Sequence, residues 1–315
     1  MSQTLRIRPR RLVLVGSVLV DVLMYIERLP ERGGDVLARQ SLFTSGGGFN
    51  VLSGAQRLGL PTAYAGHVGD GPMGMQVMND LHTAEIPLLL PRVHGEDTGF
   101  DVALVEHAAE RTFITSPGVE SKLRLADLQT LTLQAEDVLY ISGYELCYPI
   151  SGPSLEQWLP TLPPETLLLI DPGPLVAAIP AQRLVHVLAR TDILSLNAHE
   201  ATVLTGKSQL VDAVQALLPR LAPNAWVVAR EGEQGCWIAS SNYAPTHIEP
   251  RRTQAVDTTG AGDAHTAALL ACLATNNDMR KAAYTANIAA SLSVEHSGPA
   301  TGPTAHALAQ ELSRH

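Results

Sequence analysis

At 315 residues the chain has the length for one large α/β domain or two smaller ones, with ample core. Hydrophobic residues make up 45% and charged residues 17%, the make-up of an ordinary soluble globular protein. The 22 Lys+Arg against 31 Asp+Glu leave a formal charge of -9, which excludes bulk attraction to nucleic acid or to an anionic membrane. A phosphate ligand would have to be held by local backbone nests and metal ions. Cys147, Cys236 and Cys272 are odd in number and widely spaced, against a disulfide framework or zinc site and in keeping with a reducing cytoplasm. No run approaches transmembrane length, and the basic start Met1–Arg11 leads into a strand instead of a signal peptide.

Leu12–Gly16 opens the chain's pattern as a continuous apolar run, the mark of a strand buried on both faces. Val22–Leu42 reads as extended, Asn50–Leu58 as helix, Ala63–Gly66 as strand and Gly74–Leu81 as helix. Thr98–Ser116 carries two strands of period two, Phe100–Glu106 and Arg111–Thr115, around the turn His107–Glu110. Apolar strands follow at Val138–Ile141, Leu167–Ile170, Ile193–Leu196 and Trp226–Ala229. Helical spacing separates them at Ala181–Ala189, Ala198–Leu204 and Leu210–Leu221, and Ala264–Ala274 and Met279–Val294 read as closing helices. Such alternation predicts a mainly parallel sheet with helices on both faces. The expected division is a core of 12–20, 43–97 and 117–315, with a small β lid of 21–42 and 98–116.

Two segments imitate phosphate loops. Ala201–Ser208 nearly spells a P-loop, but Ala201 stands where the first glycine is needed. The preceding Asn197-Ala-His-Glu200 reads as a helix start, with Asn197 as cap and Glu200 closing a capping box; Gly206 reads as the helix C-cap. Gly69–Gly74 satisfies G-x-G-x-x-G, yet Pro72 removes one N–H from the cradle a pyrophosphate would need.

The most telling stretch is Ala255–Leu270. Gly260, Ala261 and Gly262 precede Asp263 and an Ala-rich apolar run, which reads as a loop entering a helix. Small residues let backbone N–H groups approach a ligand, and the positive end of the new helix receives an anion such as a phosphoryl group. A carboxylate at the lip of that nest suits a base aimed at an attacking hydroxyl. His265 falls two positions along the helix, directed elsewhere, and reads as structural.

Asp257, Thr258, the Gly260–Asp263 core and the tail Ala267–Leu270 together resemble the C-terminal signature of the PfkB carbohydrate kinases, the ribokinase family. Ser45–Asn50 followed by Gly59 resembles the N-terminal signature, and Glu110-Arg-Thr-Phe113 the lid hairpin. The resemblance implies a ribokinase-like three-layer α/β/α domain with a small β lid. It implies an ATP-dependent kinase acting on a primary hydroxyl of a sugar or nucleoside-like molecule. Asp263 is then the catalytic base, and Gly260, Ala261 and Gly262 form the nest for the transferred group. Asp21, Gly46, Gly47 and Asn50 fall to the sugar; Asn197, Arg230, Gly232, Gly235 and Asn287 fall to the nucleotide. Glu200 corresponds to the residue supporting Mg²⁺ indirectly, and Asp257 with Thr259 to a monovalent-cation site for K⁺. Three departures stand out. Gly47 replaces a basic residue of ribokinases, Arg230 replaces a small one, and Asp171-Pro-Gly-Pro174 lacks the Asn and Arg of the Asp-x-Asn-x-Arg motif. Further implications are a homodimer through the lid and a cytoplasmic location. Two alternatives are a catalytically weak sugar- or nucleoside-binding sensor and a phosphofructokinase-type enzyme acting on sugar phosphates.

Overall fold

The computed structural model describes residues 4–106 and 111–314, so the turn expected at 107–110 lies outside the described residues. The strands in chain order are β1 (Arg11–Leu14), β2 (Val18–Tyr25), β3 (Gln40–Gly47), β4 (Thr62–Tyr64), β5 (Phe100–Val105) and β6 (Arg111–Ser116). They continue as β7 (Asp137–Ser142), β8 (Leu167–Asp171), β9 (Ile193–Asn197), β10 (Trp226–Arg230), β11 (Cys236–Ser240) and β12 (Tyr243–Ile248). The main sheet has the order β12-β11-β10-β9-β8-β7-β1-β4. It is parallel from β4 to β10 and closes with an antiparallel edge, β10 to β11 to β12.

Alternate residues of each central strand serve opposite layers. On β8, Leu167 and Leu169 pack with the helices Phe49–Arg57, Ala261–Asn276 and Met279–Ser293. Leu168 and Ile170 pack with Ala181–Arg190, Ala198–Thr205 and Leu210–Leu217 on the other face. With both faces covered, a strand can be apolar throughout, as the sequence of β8 is. The expected three-layer α/β/α architecture is therefore the one observed. The helix Ala261–Asn276 is buried from Ala264 through Leu273 on every side, which its Ala- and Leu-rich sequence permits.

The second sheet has the order β3-β2-β5-β6. Two expected boundaries shift. The core segment expected to run to residue 20 ends earlier: the chain leaves the main sheet at Gly16, against which Glu145 packs, and continues as β2 in the small sheet. β3 continues to Gly47, so the glycine loop belongs to the end of a lid strand, and Asp21 lies mid-strand in β2. The hairpin β11–β12 was not anticipated; Pro245 within β12 is tolerated because that strand is an edge.

Candidate active site

The polar residues gather at the carboxyl ends of the parallel strands, where open α/β sheets bind ligands. Ser142 and Asp171 are register partners at the ends of β7 and β8, as are Asn197 and Arg230 at the ends of β9 and β10.

The helix Ala261–Asn276 begins beside them. Gly260 has φ 72°, and a Cβ there would strike the Pro299 carbonyl oxygen, so the position requires glycine. No side chain caps this helix. Ala261 N donates to Thr258 O at 3.3 Å, and the N–H groups that follow it, at the positive dipole end, are available to an anion. The Arg230 guanidinium adds a cation: a Cβ on Gly262 would lie 3.5 Å from its Cζ.

Asp263 sits in the first turn of that helix, and Asn50 Nδ2 donates to its Oδ2 at 3.1 Å. The two helices that carry them cross closely, with Gly54 against Ala267. Burial pushes the Asp263 carboxyl up to about 6; Asn50 and Arg230 hold it down, while Asp171 adds to the rise. Asn50 is itself buried, and its Oδ1 has no partner among the described residues. That oxygen is free to accept from a hydroxyl. His265 is directed away, as expected: it is buried, its Nε2 meets Asn287 Oδ1 at 3.2 Å, and burial lowers it to about 3.

Asp21 on β2 lies beside Thr44 of β3 and Asp101 of β5. A Cβ on Gly46 would fall on the Asp21 carboxylate, so glycine there makes room for the acid. Burial, then the charges of Asp101 and Asp263, push the Asp21 carboxyl up, and burial also raises Asp101. Asp21 and Asp101 are register partners on neighbouring strands, within electrostatic reach of Asp263. Like charges side by side on a sheet are destabilising, a local cost typical of a functional site. Gly47 turns the chain beyond this point with φ 58°.

Arg230 is held by a hydrogen bond from Nη1 to Ser195 Oγ at 2.7 Å and an ion pair of Nη2 with Asp171 at 3.0 Å; Glu200 lies 4.0 Å away. Asn197 and Glu200 form a complete capping box: Asn197 accepts from Glu200 N, and Glu200 accepts from Asn197 N and Nδ2. Each Glu200 oxygen retains a lone pair after these bonds. With Arg230 nearby, this donor set fits an outer-shell contact with Mg²⁺ better than direct ligation. Gly232 opens the turn after β10 at φ 60°, and Gly235 closes it at φ 91°.

Asn287 adjoins the Gly235 turn, with its amide hydrogen-bonded inside the protein. Its Nδ2 donates to Ile248 O and Glu249 O, and its Oδ1 faces His265, so both amide hydrogens are committed inside the protein. It ties the end of β12 to the helix Met279–Ser293.

Asp257 and Thr259 depart from a monovalent-cation site. The Asp257 carboxylate accepts from Thr259 N at 2.8 Å, from Gly298 N at 3.0 Å and from the Arg111 guanidinium of β6. Thr259 Oγ1 is buried without a partner among the described residues, but the carboxylate already has a cation. The Asp257 carboxylate, so committed, does not fit an added K⁺.

A model of the pfkB family carbohydrate kinases matches residues 9–306. The chain belongs to that family. It is 33% identical over 295 residues to the uncharacterised sugar kinase YegV of Escherichia coli, covering 93% of this chain and 91% of the relative. Among solved structures, the Thermotoga maritima ribokinase superposes with a TM-score of 0.83 at 20% identity, covering 96% of this chain and 99% of that one. The Salmonella enterica aminoimidazole riboside kinase, solved with aminoimidazole riboside and an ATP analogue, gives 0.80 at 20% identity over 96% and 99% of the two chains.

Within this pfkB carbohydrate kinase neither imitation loop is built to hold phosphate. Ala198–Thr205 is helix and Gly206 its left-handed C-cap. At Gly69–Gly74 the helix N-terminus is already taken, because Asp97 accepts from Met73 N and Gly74 N. Among the described residues no helix is long and apolar enough to cross a membrane. Sequence reasoning missed Asp101 as the neighbour of Asp21 and Arg111 as the partner of Asp257. The alternation of β5 and β6 was visible, but only the register of β2 with β5 sets Asp101 beside Asp21.

Proposed function

We propose that this kinase transfers the γ-phosphoryl group of ATP to a primary hydroxyl of a neutral sugar or nucleoside-like polyol, with Asp263 as the base. The observation that carries the reading is a single constellation: Asp263, oriented by Asn50, at the lip of an uncapped helix N-terminus with Arg230 beside it. Asp263 accepts the hydroxyl proton as the oxygen bonds to the γ-phosphorus and the bond to the departing ADP breaks. The backbone of Gly260–Gly262 and the Arg230 guanidinium stabilise the charge on the transferred group. One oxyanion-type donor is typically worth about 2.7–4 kcal/mol. Asp21 and Asp101 accept from vicinal hydroxyls, and Asn50 Oδ1 from a third. Negative charge carried by this carboxyl pair, beside Asp263, disfavours an acceptor that already bears phosphate, which argues against the phosphofructokinase-type alternative. Asn197, Arg230 and the Gly232–Gly235 turn form the nucleotide side. Mg²⁺ bound with the nucleotide would add charge stabilisation, Glu200 holding its water shell.

The lid also supports a homodimer. Leu42, Phe43, Phe113 and Ile114 leave between 41% and 64% of their surface exposed on β3 and β6, the outer strands of the small sheet. Covering such apolar strand edges with a second lid removes them from water. The reading carries with it a cytoplasmic location.

An ADP-release screen over free sugars, nucleosides and their phosphates tests the proposal. Turnover with a free acceptor bearing a primary hydroxyl is expected. Turnover confined to sugar phosphates would overturn the acceptor assignment. Ligand binding with no turnover of any acceptor would favour a sensor.

A further inference from the structure

We infer that Arg111 of the lid is the positioning residue for the phosphoryl nest and performs the charge role of a monovalent cation, making the enzyme independent of K⁺. The inference rests on the proposed role of Gly260–Gly262. Asp257 joins the two loops that shape that nest. Its Oδ1 accepts from Thr259 N, one residue before Gly260, and its Oδ2 accepts from Gly298 N, one residue before Pro299, whose carbonyl packs on Gly260. The Arg111 guanidinium bonds to Asp257 Oδ1, and both side chains are largely buried, 13% and 6% exposed. A buried carboxylate needs a counter-charge, and here β6 delivers it. Any cation entering beside Asp257 would meet the charge of Arg111 at contact range, where repulsion is strong. Because Arg111 belongs to the lid sheet and Asp257 to the core, the same pair couples the lid's docked position to the geometry of the nest.

The test replaces the medium's cation and then the arginine. Thermal midpoints of the full chain are measured at constant ionic strength in KCl, NaCl and choline chloride, together with ADP release from MgATP and the best acceptor of the screen. The wild type is expected to show the same midpoint and rate in all three salts. Arg111→Ala is expected to lose at least about tenfold in kcat with a smaller change in KM for ATP, within the hundredfold that a displaced group can cost. KCl, but not choline chloride, should restore part of both the rate and the midpoint. Arg111→Lys, which keeps the charge, should stay K⁺-independent and covers the case in which the alanine variant does not fold. A K⁺-specific rise in midpoint or rate of the wild type would overturn the inference. So would an Arg111→Ala variant with unaltered rate and salt response. The midpoint arm needs no acceptor, so failure to find a substrate would bear on the proposed function and leave this arm decisive.

Discussion

Asn50 and Asp263, 213 residues apart in the chain, meet with Nδ2 to Oδ2 at 3.1 Å. The bond sets the direction of the carboxylate and its affinity for a proton, because donation to the ionised form favours that form. Burial works against it and dominates, leaving Asp263 at about 6.

The pH profile of kcat/KM should therefore have an acidic limb near 6, with activity lost as pH falls and Asp263 takes up a proton. Asn50→Leu removes the donor that holds the carboxyl down. The limb should move to higher pH, and KM for the acceptor should rise because the free Oδ1 is lost as well. A limb that stays in place would separate Asn50 from the proton affinity of Asp263.

Arg230 carries a second expectation. Arg230→Met leaves Asp171 and Glu200 without their nearest cation, and breaking a buried pair costs about 3–5 kcal/mol. The urea midpoint should fall accordingly, and KM for MgATP should increase. Arg230→Lys keeps the charge but not the fork that spans Ser195 and Asp171, so it should fall between. A methionine variant with wild-type nucleotide affinity would remove Arg230 from the phosphate side.

Glu145 sets a pH dependence of stability. It is buried, accepts from Ser17 Oγ at 2.5 Å, and is pushed by burial from 4.5 to about 8. The folded chain then holds a proton that the unfolded chain releases between those two values. Stability should be greatest below about 4.5 for this group and decline as pH rises through about 8. Denaturant titrations of Glu145→Gln should show a shallower decline over that window than wild type.

Gly54 permits the helix crossing behind Asn50. A Cβ there would stand 3.0 Å from Ala267 Cβ, tighter than packing normally allows. Gly54→Val should cost about 1–3 kcal/mol by overpacking and lower kcat by moving Asn50 off Asp263. Pairing Gly54→Ala with Ala267→Gly exchanges one methyl across the contact and should recover most of the loss.

Much of this architecture was legible in the chain. Runs such as Leu167–Ile170 are apolar at every position because both faces of β8 are covered, and the Gly260–Asp263 segment announces its helix start in four residues. What escaped was tertiary. The lid sheet begins at Val18 and not at Asp21, a boundary hidden because Val18–Val20 is as apolar and buried as the core strand before it. Asp101 is one acid in an otherwise apolar strand, and only pairing with β2 gives it a partner. Asn287 looked like a ligand-facing polar residue; its amide is spent on the carbonyls of Ile248 and Glu249, bonds no local pattern encodes. Asp257 looked open to a cation, but Arg111, 146 residues away, supplies the charge.

The central claim is that Asp263 removes the acceptor's proton. Its most direct measurement is ADP release by Asp263→Asn beside wild type, with thermal midpoints and binding of a non-hydrolysable ATP analogue measured on the same samples. A fall in kcat of about 10²–10⁴ is expected, with midpoint and analogue affinity retained. A variant that turns over at the wild-type rate would contradict the account.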